Sequence, residues 1–519
     1  MSLEGKCLNS SHGRLVAILS QVAEDQPKKT AITYGSQKFT YKELDEFSSR
    51  FACALIDLGV VKGDRVALFL RNSPQFVIAY FGVLKADAVV TAVNPLYREE
   101  ELKCQLCDSG ARTIVVLDVL CPIVEKIKDQ TLLKNVIVVT DSYSKRTANK
   151  TSLDVLNFGN LSKKEDEGKP LDLLLKLEED LAVLQYTGGT TGTPKGVMLT
   201  HVNLVSNALA FASWLKGTSR DVFLSVLPFF HVYGMMASMI TPVSLGAEMV
   251  LLPKFDPIQS LQAISQHRVT VFCGSPTMYT MLLSSSEFEK CDLSSVRVCI
   301  SGASSLSSQV QKQFIQAGVF LVEGYGLTEA SPITHCTPID TSINAVKIGS
   351  IGVPLPGTEA RIVDLETGGK VLTVGKLGEL SVRGPQVMRG YWQRLEETAQ
   401  VLSDDGWLLT GDIAYVDKQG YFFIVNRKKD LIKYKDYSIY PRELEEILHK
   451  HPAVKLCTVI GKPDKLTGEV PKAFVVLKED TKITNEELLE FTNSKIASYK
   501  AIKEIEICQK LPKTSADKI

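Results

Sequence analysis

Twelve residues crowded with glycine and threonine, Tyr186-Thr-Gly-Gly-Thr-Thr-Gly-Thr-Pro-Lys-Gly-Val197, are the stretch of this chain best suited to chemistry. Gly188, Gly189 and Gly192 open backbone angles closed to other residues, so successive N–H groups can turn into one concavity. Thr187, Thr190, Thr191 and Thr193 add hydroxyl donors, and Lys195 adds a mobile cation. Such a set suits a polyphosphate and points to ATP. A glycine-rich surface loop is the bland alternative, but Leu181–Tyr186 reads as a buried strand feeding the loop. No glycine precedes Lys195, so the spacing is not that of a Walker A loop and a different nucleotide fold is required.

Further motifs follow in order: Leu227-Pro-Phe-Phe-His-Val-Tyr-Gly234, Glu323-Gly-Tyr-Gly-Leu-Thr-Glu329, Gly378-Glu-Leu-Ser-Val-Arg-Gly384, Thr410-Gly-Asp412, Arg427-Lys-Lys-Asp-Leu-Ile-Lys433 and Leu511-Pro-Lys-Thr-Ser-Ala-Asp-Lys518. The ordered set resembles the acyl-adenylate-forming superfamily of acyl-CoA synthetases, carrier-linked adenylation domains and beetle luciferases. That resemblance implies ATP-dependent activation of a carboxylic acid as an acyl-adenylate with pyrophosphate release. Transfer to the thiol of coenzyme A then releases AMP.

The carboxylate must attack the α-phosphorus while pyrophosphate leaves, so cations and N–H groups have to absorb converging negative charge. On the resemblance, Lys195 and the loop threonines hold the β- and γ-phosphates, Thr328 bonds a phosphate, and Glu329 ligates Mg²⁺. Asp412 and Arg427 contact the ribose, and Tyr325, within Glu323, Gly324 and Gly326, stacks on adenine. Gly302, Ala303 and Ser304 line the adenine and acyl pocket, with Gly326, Tyr233 and Ala237 on the acyl side. His231 gates the thiol path. Lys518 reaches the α-phosphate for adenylation, and rotation about a hinge near 426–430 presents Lys433 and Lys435 for the thioester step and the phosphates of coenzyme A.

Three positions depart from the family pattern. Asn426 replaces an aspartate before the arginine, while Asp436 and Asp517 each replace a glycine, Asp517 directly before Lys518. Asp436 and Asp517 prompt an alternative outside catalysis, a degenerate acyl-adenylate-binding protein without turnover. The run after Phe229-Phe-His carries no aspartate to pair with a substrate ammonium, so an uncharged tail is implied. A fatty acid of medium or long chain leads. A coumarate-type aryl acid ligase and a luciferase-like oxygenase share the same apparatus.

The elements that must position these residues fit an α/β protein. At 519 residues the chain exceeds one core. Strand then helix, as in Arg65–Leu70 followed by Ser73–Leu84, repeats through the first half and argues for parallel sheets covered by helices. Short strands with turns from about 345 to 425 fit a small β-barrel part of an N-terminal adenylation domain, residues 1–425. Residues 426–519 fit a mobile α+β lid domain of ordinary size. Lys+Arg and Asp+Glu are equal at 59 each, so no overall field recruits nucleic acid or an anionic membrane. Residues 222–247 carry no charged side chain, yet Pro228, Gly234, Pro242 and Gly246 break that stretch into a buried strand, turn and helix rather than a membrane span. Cys104 and Cys107 lack a second such pair to make a zinc site, and eleven scattered cysteines without a secretory leader fit a reducing cytosol and a cytoplasmic location. A monomer or homodimer is expected.

Overall fold

The computed structural model describes residues 14–140, 156–161, 180–187, 194–339, 346–435, 437–464, 467–479, 481 and 483–512. The chain forms two compact units, residues 1–359 with 383–406, and residues 360–382 with 407–519. The β-rich stretch expected from about 345 to 425 is thus shared between them.

Two sheets build the first unit. In the nine-stranded one, Thr30–Tyr34, Glu248–Leu251, Val222–Ser225, Val271–Gly274, Val298–Ser301 and Leu321–Gly326 run parallel and in that order. In the eight-stranded sheet, Leu181–Thr187, Val89–Ala92, Arg65–Phe69, Thr113–Leu117 and Asn135–Val139 are parallel neighbours. Lys195–Thr200 then pairs antiparallel with Leu181–Thr187, and Gly390–Tyr391 antiparallel with Lys195–Thr200. Parallel strands are covered on both faces, which explains why Thr113–Leu117 and Val298–Ser301, apolar but for Thr113 and Ser301, are buried at every position.

Polar residues before the helices set where the chain turns back. Ser73 accepts the Phe76 N–H ahead of Pro74–Lys85, with proline at the first position, and Thr40 and Thr200 make reciprocal capping boxes ahead of Tyr41–Asp57 and His201–Trp214. Helices Pro257–His267, Pro276–Leu283 and Ser308–Gln316 cover the nine-stranded sheet through a core that includes Leu261, Tyr279, Phe272 and Phe314. The uncharged stretch resolves into Val222–Ser225 and short helices from Val232 to Leu245, interrupted by a π-helical turn at Met236–Ile240. No helix among the described residues is long and apolar enough to cross a membrane. Cys104 and Cys107 lie exposed on the helix Glu99–Ser109, and among the described residues no cluster of His, Cys, Asp and Glu could hold a metal ion.

In the second unit, Glu359–Val363, Gly378–Arg383, Leu408–Val416 and Phe422–Arg427 make a four-stranded sheet. A further sheet carries the long hairpin Val454–Asp464 with Gly468–Leu477, flanked by Ile432–Tyr434 and Glu504–Ile507. Helices Pro441–His449 and Asn485–Asn493 close its core around Leu444, Leu448, Val459, Val475 and Leu488.

Candidate active site

Open parallel sheets place ligand-binding segments beyond the carboxyl ends of their strands. Of the residues expected to contact nucleotide and acid in the first unit, Gly302, Ala303 and Ser304 follow Val298–Ser301, and Gly324, Tyr325 and Gly326 end Leu321–Gly326. Gly302 follows Val298–Ser301, and its N–H donates to the Gly274 carbonyl at 3.0 Å. Ala303 takes a left-handed backbone with φ of 75°, which turns the chain sharply after the strand. Ser304 is exposed beyond it. Glu323 is buried, and its carboxylate accepts the Leu306 N–H at 2.8 Å, so it fixes the 302–306 segment.

From Gly324 the chain reverses. Gly324 and Tyr325 pair antiparallel with Cys336 and His335, and Gly326 with Ile333. A Cβ at Gly326 would lie 1.9 Å from the Pro332 carbonyl oxygen, and the Leu327 N–H donates to that same oxygen at 3.0 Å. The tight return delivers Thr328 and Glu329 on a single helical turn. Tyr325 sits edge-on to the His335 ring at 5.9 Å.

The acyl side is built on Leu227–Gly234. Asn72 pins it by donating to the Leu227 carbonyl at 2.9 Å and accepting the Phe229 N–H at 2.8 Å, while Gln185 donates to the Phe230 carbonyl at 2.8 Å. His231 Nδ1 accepts the Tyr233 N–H at 3.2 Å and caps the short helix that follows. Tyr233 packs its ring within 3.0 Å of where a Gly302 Cβ would stand, and its hydroxyl donates to the Ile300 carbonyl at 3.0 Å. Burial, followed by the neighbouring Cys273, keeps that phenol protonated. Ala237 is buried in the π-helical turn, an irregularity that sequence reasoning did not foresee and that is common at functional sites.

Lys195 and Glu329 are drawn together by residues the sequence reading missed. Tyr391 pairs opposite Val197, donates its hydroxyl to Glu329 Oε1 at 2.8 Å, and lies with its ring 5.1 Å from Lys195 Nζ. Glu397 forms an ion pair with Lys195. The only sequence signal was the Gly-Tyr-Trp turn followed by a short acidic helix. Glu329 keeps lone pairs beyond the Tyr391 bond, and a hard cation that retains waters and phosphate oxygens needs just one or two carboxylates, so the residue fits Mg²⁺. Thr187 ends its strand opposite Lys195; Gly188, Gly189, Thr190, Thr191, Gly192 and Thr193 lie outside the described residues.

In the second unit the two ribose candidates are cross-strand partners. Asp412 pairs opposite Arg427, with Oδ1 to Nε at 3.0 Å. Buried Glu379 holds the turn beside them by accepting the Gly411 N–H at 3.0 Å and Lys428 Nζ at 2.8 Å. Thr410, Gly411, Arg427, Lys428 and Lys429 line a groove of about 300 Å³. Lys433 and Lys435 are exposed on and just beyond Ile432–Tyr434. Asp436, Asp517 and Lys518 lie outside the described residues.

Residues 19–392 match the model of the AMP-binding enzyme family, and residues 443–518 match that of the AMP-binding enzyme C-terminal domain. The chain belongs to the AMP-binding enzyme family. The long-chain-fatty-acid–CoA ligase of Bacillus subtilis is 44% identical, covering 97% of this chain and 93% of its own, and that of Escherichia coli O157:H7 is 36% identical over 95% and 90%. A probable 4-coumarate–CoA ligase of Dictyostelium discoideum is 36% identical over 88% and 85%. Among solved structures, ATP-bound MatB from Rhodopseudomonas palustris superposes with a TM-score of 0.89 at 30% identity, covering 98% and 97% of the two chains. The o-succinylbenzoate coenzyme A synthetase of Bacillus subtilis with ATP and magnesium ion gives 0.83 at 29%, covering 97% and 98%.

Two properties of this AMP-binding enzyme are open to test. Gly326→Ala forces a methyl group into the Pro332 carbonyl, and overpacking of this kind costs about 1–3 kcal/mol. The variant is expected to melt earlier and bind nucleotide more weakly; an unchanged melting temperature contradicts the close approach. Burial pushes His335 down to about 3 and, with Arg14 adding to it, His201 down to about 4. The folded enzyme therefore holds both neutral where an unfolded histidine, with a pKa near 6.5, is protonated. Between those values the unfolded state binds more protons, so stability falls as pH falls, by up to about 1.4 kcal/mol per pH unit for each group. The thermal midpoint is expected to drop between pH 7 and pH 5, and to drop less in His201→Gln; equal slopes in both proteins contradict the assignment.

Proposed function

We propose that the chain is an ATP-dependent fatty acyl-CoA ligase acting on medium- or long-chain acids. The observation that carries this reading is the convergence of Lys195 and Glu329, from motifs far apart in sequence, on the single side chain Tyr391. A cation for phosphate oxygens and a carboxylate for Mg²⁺ stand side by side, the pairing that a metal-bound triphosphate needs. When bound, the metal neutralises charge on the phosphate oxygens. Lys195 and the loop threonines steady the leaving pyrophosphate, Thr328 bonds a phosphate oxygen, and Lys518 is the cation for the α-phosphate. Asp412 and Arg427 take the ribose, Tyr325 stacks on the adenine, and Gly302, Gly326, Ala303 and Ser304 leave room for the adenylate.

The acid enters beside Tyr233 and Ala237. The uncharged run from Val232 to Ile240 offers an ammonium or a second carboxylate no partner, which favours an apolar tail, as do the names of the bacterial relatives. His231 then clears the path for the thiol, and Lys433 with Lys435 steers the phosphates of coenzyme A. Attack of the sulfur on the acyl carbon expels AMP.

Incubation with ATP, Mg²⁺, coenzyme A and a panel of acids tests the reading. Equimolar AMP and acyl-CoA are expected from medium- and long-chain fatty acids, with little from coumarate. Preference for coumarate selects the aryl alternative, and absence of turnover with every acid selects a binding protein. Lys518→Ala is expected to slow acid-dependent pyrophosphate release by about a hundredfold or more, and unchanged release contradicts its role.

A further inference from the structure

Lys195 does not project freely toward a ligand. Its ammonium is engaged by Glu397, on the helix Leu395–Val401 that follows the strand Gly390–Tyr391. Glu397 is itself anchored, because Arg394 Nε lies 3.6 Å from its other oxygen and Arg394 also bonds Asp108 Oδ1 at 3.1 Å. Asp108 accepts the Tyr186 hydroxyl at 2.6 Å, and its carbonyl accepts Trp392 Nε1 at 3.1 Å. A chain of contacts thus runs from Lys195 through Glu397, Arg394 and Asp108 to Tyr186, the residue that opens the glycine-rich loop at its other end. Both ends of the loop are tied to one charged cluster.

The phosphates and Glu397 are anions of the same kind for Lys195, and one ammonium cannot give its full set of donors to both. We propose that Glu397 is a positioning residue that holds Lys195 in reserve, and that the triphosphate must displace it to bind. The inference rests on the reading that Lys195 is a phosphate ligand. The side chains of Lys195 and Glu397 keep 26% and 35% of their exposure, so the pair is partly screened by water. Pairs of that kind hold with a strength equivalent to a change of about one-and-a-half- to fivefold in an equilibrium constant.

Glu397→Gln keeps the shape and removes the charge. The KM for MgATP in acid-dependent pyrophosphate release is expected to fall about two- to fivefold with kcat little changed, while Glu397→Asp, which retains the anion, stays near the wild-type value. Lys195→Ala alone is expected to raise the KM, and adding Glu397→Gln to it is expected to bring no further change. A KM in Glu397→Gln equal to or above the wild-type value overturns the inference. So does an equal fall in the Lys195→Ala background, which would mark a general loss of repulsion instead of release of Lys195. If Lys195→Ala by itself leaves the KM for MgATP unchanged, the phosphate assignment of Lys195 fails, a result separate from the first two. Melting temperatures of the variants within reach of the wild type show that each is folded when compared.

Discussion

The antiparallel contact between Gly390–Tyr391 and Lys195–Thr200 is the constraint on which the site depends. Two residues of pairing at the edge of a sheet bring a distant segment onto the strand that leaves the glycine-rich loop. Through that contact Tyr391 meets Glu329, Lys195 rests on the aromatic ring, and Glu397 comes within reach of the ammonium. Burial and the nearby carboxylates of Glu329 and Glu397 hold the Tyr391 phenol protonated, so it remains a donor. Without the edge strand, a cation and a carboxylate carried by separate elements would have no common reference.

Backbone proximity does for the second half of the site what charge does for the first. Gly326 against Pro332 and Gly234 against Pro228 are places where a carbonyl occupies the volume of a side chain. Neither position admits a side chain, and the residues that follow, Thr328 with Glu329 and the turn holding Ala237, are fixed by that close approach. Buried polar groups are committed in the same spirit: Asn72, Gln185 and Glu323 each spend their hydrogen bonds on backbone groups of the binding segments. Fixed segments of this kind are what allow donors to face charge that develops only during reaction.

Much of this was legible in the sequence because it is local. The strand expected at Arg65–Leu70 and the helix expected after Ser73 are written in an apolar run, a cap and a proline, and the structure reproduces them nearly residue for residue. Asp412 faces Arg427 across a ladder that the two motifs alone could not disclose. Tyr391, Glu397 and Asp108 were not legible. Their importance comes from pairing between segments far apart in the chain, and register across such distances leaves no periodic signal in one sequence. The burial of Glu323 and its bond to the Leu306 N–H were not legible for a related reason, being consequences of neighbouring parallel strands.

The most direct measurement is a crystal structure of the full chain with MgATP bound. The β- and γ-phosphates are expected within hydrogen-bonding distance of Lys195 Nζ, the metal on the Glu329 carboxylate, and Glu397 parted from the lysine. A triphosphate lodged away from residues 187–195, with the Lys195–Glu397 pair intact, contradicts that arrangement.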